Sequence, residues 1–378
     1  MTAKKVVRFA GAVALIASSL GAMSLAFAKQ PLDGFEAHPP IHVKGEGKLP
    51  SQIGTPHGLS PANVRSAYNL PSGGGTGTIA IIDAFDAPNI QNDLNTFSAQ
   101  YGLPTCTTTA CFEKHEMAPR LKSDSGWALE ASLDTQWAHA IAPGAKILLV
   151  EARSANGSDL LAAVDYARTQ PGVVAVSMSW GGNEFAGESS SDSHFTSTSG
   201  IVFFASSGDS GAGVQWPAVS ANVVGVGGTT LSLSNGVVVS ETAWSGSGGG
   251  VSKYEAQPGY QAAYGVPQAN GFRAVPDVSY NADPNTGVSV YDSTSYQGTR
   301  GWFVIGGTSA GAPQWAAVKA LGTTASNANL YQDAATANYG TYFRDITSGT
   351  NGTCGFYCTA QPTYDYVTGL GSPLTVNF

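Results

Sequence analysis

Short, continuous apolar runs recur along this chain, and each gives way to a stretch with helical spacing. "GTIAIIDAF" (77–85) is followed by "APNIQNDLNTFSAQYG" (87–102), "AKILLVEA" (145–152) by "GSDLLAAVDYARTQ" (157–170), and "WFVIGG" (302–307) by "TSAGAPQWAAVKALG". "VVAVSMSWGG" (173–182) and "IVFFASSGDSG" (201–211) are runs of the same kind, with a further helix expected between them. A strand with one wet face alternates apolar and polar residues, whereas unbroken Val/Ile/Phe runs need cover on both faces. Strands of that kind alternating with helices predict a parallel sheet between two helical layers. Ser60-Pro61 opens the first helix as N-cap and first helical residue. "SGWALEASLDTQWAHAIA" (125–142) is a long helix that stops at Pro143-Gly144. No repeat or linker divides the chain after residue 59, because the Gly/Ser-rich stretch 243–253 is short and embedded. One domain over 59–378 is expected, preceded by an extended arm over 29–58.

Residues 1–28 read as an export signal. Lys4, Lys5 and Arg8 precede an apolar run from Phe9 to Phe27, and Ala26-Phe27-Ala28 is a small-x-small cleavage site. A secreted protein is expected, free in the medium or the periplasm and not held at a membrane after cleavage. Of 18 Lys+Arg, three lie in this leader, which leaves 15 against 26 Asp+Glu and a formal charge of −11. Nucleic acid is excluded as a partner by the lack of a basic surface. A chain with 12% charged residues and few bases is compatible with acid surroundings, where carboxylates neutralise. The four cysteines form two close pairs, Cys106/Cys111 and Cys354/Cys358, and short-loop disulfides are expected in an exported chain.

The chemistry centres on Ser309, in Gly307-Thr308-Ser309-Ala310-Gly311. This spells the G-x-S-x-G elbow of esterases, which needs a histidine after the serine. The last histidine is His194, so that arrangement is impossible. A subtilisin-type order could use Asp83, at the end of its strand, with His139 as base. At about 100° per residue, however, His139 lies roughly 180° around its helix from Glu130 and roughly 140° from Asp134. A capping or surface role suits His139 better. Glu130 and Asp134 are i and i+4 and project from one side of the helix. Their neighbours are Trp127, Leu129, Leu133 and Trp137, with no Lys or Arg between Lys122 and Lys146. A desolvated carboxyl pair raises at least one pKa and suits acid–base work in acid. Asp209, between Gly208 and Gly211, could donate to an oxyanion if it sits beside Ser309.

Together these segments resemble the sedolisin family, the serine-carboxyl peptidases with a subtilisin-like fold. The likeness covers roughly residues 60 to 378 and rests on Gly306-Gly307-Thr308-Ser309-Ala310-Gly311-Ala312-Pro313, on Glu130-Ala-Ser-Leu-Asp134 and on Ser206-Ser207-Gly208-Asp209-Ser210-Gly211. It implies an α/β fold of three layers with a mostly parallel central sheet and a single catalytic domain. It implies a secreted, acid-active endopeptidase, taken to be a monomer, that acts on proteins or peptides. Ser309 would attack the carbonyl, Glu130 take its proton, Asp134 share a proton with Glu130, and Asp209 steady the oxyanion. Ser179, Trp180 and Gly181, in "SMSWGG", would pair with the substrate backbone. One structural calcium ion would be held by Asp345, Ile346, Gln361, Thr363 and Asp365, oxygen ligands throughout. Family members usually carry a prodomain well over a hundred residues long, and about 30 residues separate the leader here from the first matching helix. The alternatives are an Asp83–His139–Ser309 protease and a non-catalytic secreted binding protein on the same fold.

Overall fold

Along the run Thr78–Ala84 every side chain is buried, yet successive residues belong to different cores. Ile79 and Ile81 pack into one hydrophobic cluster, while Ala80 and Ile82 pack into another. This is the period-two alternation of a strand with cover on both faces. The computed structural model describes residues 1–2, 32, 34–45 and 55–378. The leader beyond Thr2 therefore lies outside the described residues, as does 46–54 within the arm. By contacts the chain divides into Met1–Gln30 and Pro31–Phe378, and the fold below is that of the second unit.

The strands that position the site are β1 (His42–Val43), β2 (Thr78–Ala84), β3 (Phe112–Glu116), β4 (Lys146–Ala152), β5 (Val173–Met178), β6 (Val202–Ser206), β7 (Val223–Ser234), β8 (Val237–Ala243), β9 (Val278–Asn281), β10 (Val288–Tyr296) and β11 (Thr299–Gly306). The helices are α1 (Pro61–Ala67), α2 (Ile90–Tyr101), α3 (Ser125–Ile141), α4 (Gly157–Ala167) and α5 (Gly311–Ala320). An eight-stranded sheet runs β8-β7-β6-β5-β2-β4-β3, with β9 beside the middle of β7. Every pairing in it is parallel except β8 with β7. After β4 the chain crosses β2 to build the other half of the sheet, which opens a crevice at the carboxyl ends of the strands. A second sheet, antiparallel, runs β1-β11-β10.

Helix α3 is enclosed on every side, its polar residues included. From Trp127 to Ile141 each of its residues is buried. The Asp124 side chain caps it by accepting from the Gly126 and Trp127 amides. Its rotation is fixed from the hairpin β10–β11. The Gln136 amide donates to Tyr291 O at 2.7 Å and accepts from Tyr291 N at 2.9 Å, as a paired strand would. One residue on, the Trp137 indole donates to Ser289 O at 2.9 Å. Both expected disulfides, Cys106–Cys111 and Cys354–Cys358, are formed. The helix expected before β6 is a 3-10 segment, Glu188–Phe195. Among the described residues no helix is long and apolar enough to cross a membrane.

Candidate active site

Acidic residues gather at the carboxyl ends of the parallel strands. Asp83 closes the central strand and is in register with Glu151 on β4. Asp209 follows β6, in the turn where Gly208 and Gly211 take positive φ. Ser309 stands in the 3-10 turn Thr308–Ala310 that joins β11 to α5. Gly307 before it has φ +119°, and a Cβ there would meet Pro40 O at 2.1 Å and Asp209 Oδ2 at 2.6 Å. No other residue fits that position.

Helix α3 brings Glu130 and Asp134 to this turn, both fully buried. Neither carboxyl has a hydrogen-bond partner of ordinary geometry, and the same is true of Asp83. The Ser309 hydroxyl lies beside Glu130, near enough to lower its proton affinity without closing a bond. Burial is the main force on Glu130, and with the Asp83 charge beside it the pKa is pushed well up. Asp134 is raised likewise, first by burial and then by Glu130. Asp83 follows, raised by burial, Asp134 and Glu151. Six buried carboxyl oxygens thus lie together without N–H donors. Ionised carboxylates only accept, so beyond the Ser309 hydroxyl near Glu130 and the Ser179 hydroxyl near Asp134 these oxygens can satisfy one another only through their own protons.

Asp209 is divided in its tasks. Its Oδ1 accepts from the Thr308 amide and hydroxyl, both at 2.8 Å, and the Thr308 hydroxyl accepts in turn from the Gly208 amide at 3.1 Å. Its Oδ2 makes no hydrogen bond and stands 3.4 Å from His42 Nε2. Burial lifts the Asp209 carboxyl to about 7, the Thr308 bonds pulling the other way. Asp209 also lines a cleft of about 440 Å³ with His38, Pro40, His42, Gly181 and Gln215.

The three residues of "SMSWGG" part company. Gly181 exchanges two backbone bonds with His38, at 3.1 and 3.3 Å. Ser179 turns to the serine, its carbonyl 3.5 Å from Ser309 Oγ and its hydroxyl 3.3 Å from Ser309 O. The fully buried Trp180 ring donates to Ile82 O at 3.0 Å, inside the core. His139 is neither a cap nor a surface residue. It is fully buried, its Nε2 is 2.8 Å from Pro104 O, and burial lowers its pKa. Pro104 and the Cys106 sulfur, 4.0 Å from Nδ1, stand against the ring, a packing that helix spacing alone does not disclose. Asp83, weighed only as a partner for His139, faces Asp134 instead.

At the carboxyl end, Asp345 accepts from the Thr363 amide at 3.0 Å. The Tyr339 hydroxyl stands between Asp345 Oδ1, Thr363 O and Leu370 O, at 3.4, 3.1 and 2.8 Å. One hydroxyl proton there faces three acceptor oxygens, a donor set with surplus negative charge that fits a hard cation. Asp365 accepts from the amides of Val367 and Thr368 at 2.8 Å and of Gln361 at 3.3 Å.

Known proteins share this arrangement of chain. The profile described as the subtilase family matches residues 124–339. Kumamolisin of Bacillus sp. (strain MN-32) is 32% identical over 374 residues, covering 88% of this chain and 65% of its own length. Sedolisin of Pseudomonas sp. (strain 101) is 30% identical over 382 residues, covering 89% and 63%. The chain thus spans a little under two thirds of these relatives. A solved structure of Pseudomonas sedolisin, a serine-carboxyl proteinase complexed with two molecules of pseudo-iodotyrostatin, superposes with a TM-score of 0.70 at 27% identity, over 85% of this chain and 96% of that one. With the fold, the profile and these relatives in agreement, the chain belongs to the subtilase family and, within it, to the sedolisins.

Proposed function

We propose that this protein is a secreted, acid-active serine-carboxyl endopeptidase. The observation that carries the reading is a buried serine turn facing two carboxyls with no other partner, while His139, the one histidine on α3, is tied to Pro104. In the proposed cycle Ser309 Oγ attacks the scissile carbonyl carbon. Its proton passes to Glu130, which is the base, and Asp134 holds the shared proton that keeps Glu130 receptive. The carbonyl oxygen becomes an oxyanion, and a protonated Asp209 Oδ2 donates to it. Glu130 then returns its proton to the leaving amine as the C–N bond breaks. Water repeats the sequence on the acyl-enzyme and releases Ser309. Asp83, behind Asp134, is a positioning residue that favours one proton being retained on the pair.

Proteins and peptides are the partners of this reading, with the chain acting as a monomer. The Gly181 backbone offers the edge on which an extended substrate pairs. An internal peptide bond is favoured as target because residues 35–45 pass the serine turn from Gly181 to Gly306 without meeting an end to the cleft. A calcium ion would be held by the Asp345 and Asp365 carboxylates and the carbonyls of Ile346, Gln361 and Thr363. It would neutralise that oxygen cluster and brace the loop without touching the chemistry.

Hydrolysis of a denatured protein measured from pH 2 to 8 tests the proposal. Maximal rates below pH 5 and none with Ser309→Ala are expected. A neutral optimum, or activity that survives Ser309→Ala, contradicts it.

A further inference from the structure

The arm over residues 35–45 makes the backbone bonds of a strand held between two others. On one side Ala37 N donates to Ala155 O at 2.9 Å, and Phe35 O accepts from Gly157 N at 3.1 Å. On the other, His38 exchanges both bonds with Gly181. Pro39 and Pro40, which lack N–H donors, cross above Gly307, where Pro40 O is the nearest neighbour. Beyond them β1 pairs antiparallel with β11, His42 against Gly306 and Val43 against Ile305. An extended peptide that entered the cleft would have to take this same course, or displace the arm from it.

One side chain fixes the arm's register. The Phe35 ring stands edge-on to Trp216 at 5.1 Å and tilted against Phe185 at 5.5 Å. Beneath it are two glycines. A Cβ at Gly157 would meet Phe35 Cδ1 at 2.9 Å, and one at Gly182 would meet Phe35 Cε2 at 2.8 Å. Neither glycine has a positive φ, so turn geometry does not account for them. What they provide is room for a ring between aromatic walls.

We propose that the pocket of Phe185, Trp216, Gly157 and Gly182 is a distal subsite for an aromatic side chain, five residues upstream of the residue over the serine turn, and that Phe35 is its intramolecular occupant. That the occupant is a substrate's side chain rests on the peptidase reading, whereas the binding does not. The arm thereby competes with any incoming peptide, and a peptide with an aromatic residue at that position competes best.

Calorimetry on the full chain carrying Phe35→Ala and Ser309→Ala, which frees the pocket and prevents turnover, tests this directly. The probes are the peptide Phe-Glu-Ala-His-Pro-Pro-Ile-His-Val and its analogue with Ala in first place. The Phe peptide is expected to bind about tenfold tighter, from burial of one ring. Adding Gly182→Val should abolish that preference. In the otherwise unaltered chain, Phe35→Ala alone should speed hydrogen exchange at the amides of Ala37, His38 and Gly181. Equal affinities, no binding by either peptide, or unchanged exchange overturns the proposal. A preserved preference in a chain whose Ser309 form hydrolyses nothing would instead remove the peptidase reading and leave the subsite standing.

Discussion

At the scale of single residues, the proposed mechanism depends on acids that keep their protons. Asp209 has one oxygen fastened by Thr308 and one unbonded, and its carboxyl is lifted to about 7. Below that pH it can donate to an oxyanion, and above it the donor is lost. Asp209→Ala should therefore lower kcat/KM by about 10²–10³-fold in acid, the usual worth of one oxyanion donor. Asp209→Asn, with a donor independent of pH, should keep most of the activity and flatten the fall towards neutrality. A kcat/KM–pH series on the two variants checks this, and an unimpaired Asp209→Ala refutes it. The Glu130/Asp134 pair was legible because i,i+4 spacing on an apolar helix is a local signal. The place of Asp83 was not, since its facing of Asp134 comes from a strand and a helix that meet only in the fold.

At the scale of elements, α3 must present one particular side to Ser309. Its apolar surroundings would tolerate other rotations, and the choice is made by Gln136 and Trp137 bonding β10. Gln136→Ala removes both bonds to the half-buried Tyr291 backbone, a cost of about 1–3 kcal/mol. The expected result is a lower denaturation midpoint together with a reduced kcat and little change in KM, because Glu130 shifts while the cleft persists. Unchanged kcat would contradict the link between this anchor and the site. The helix itself was evident from spacing and from its Pro143-Gly144 stop. Its anchor was hidden because the partner lies 155 residues away.

At the scale of the molecule, the strand–helix alternation disclosed the parallel sheet, since continuous apolar runs tolerate no wet face. It did not disclose the strand order, nor that the aperiodic, proline-containing arm would bond as a strand. The arm's partners are other segments' backbones, which leave no pattern in its own residues. Acids with raised pKa extend beyond the site. Burial takes Glu151, Glu255 and Asp292 to about 7 and Glu188 to about 8. Each holds a proton when folded that the unfolded chain has released above about pH 4. Folding therefore binds protons, and stability is full in acid and declines as pH rises towards 7–8. Each such group costs about 1.4 kcal/mol per pH unit across its interval. Urea midpoints should be higher at pH 4 than at pH 7.5, and the reverse order would count against this ledger of buried acids.

The central claim is that a carboxylate takes the proton of Ser309. Steady-state kinetics of Glu130→Gln and His139→Gln, compared at the acid optimum, address it most directly. Glutamine keeps the shape of Glu130 but cannot accept the proton, so kcat/KM should fall by about 10²–10⁴-fold, while His139→Gln stays active. Loss of activity in His139→Gln with Glu130→Gln retained would contradict the account.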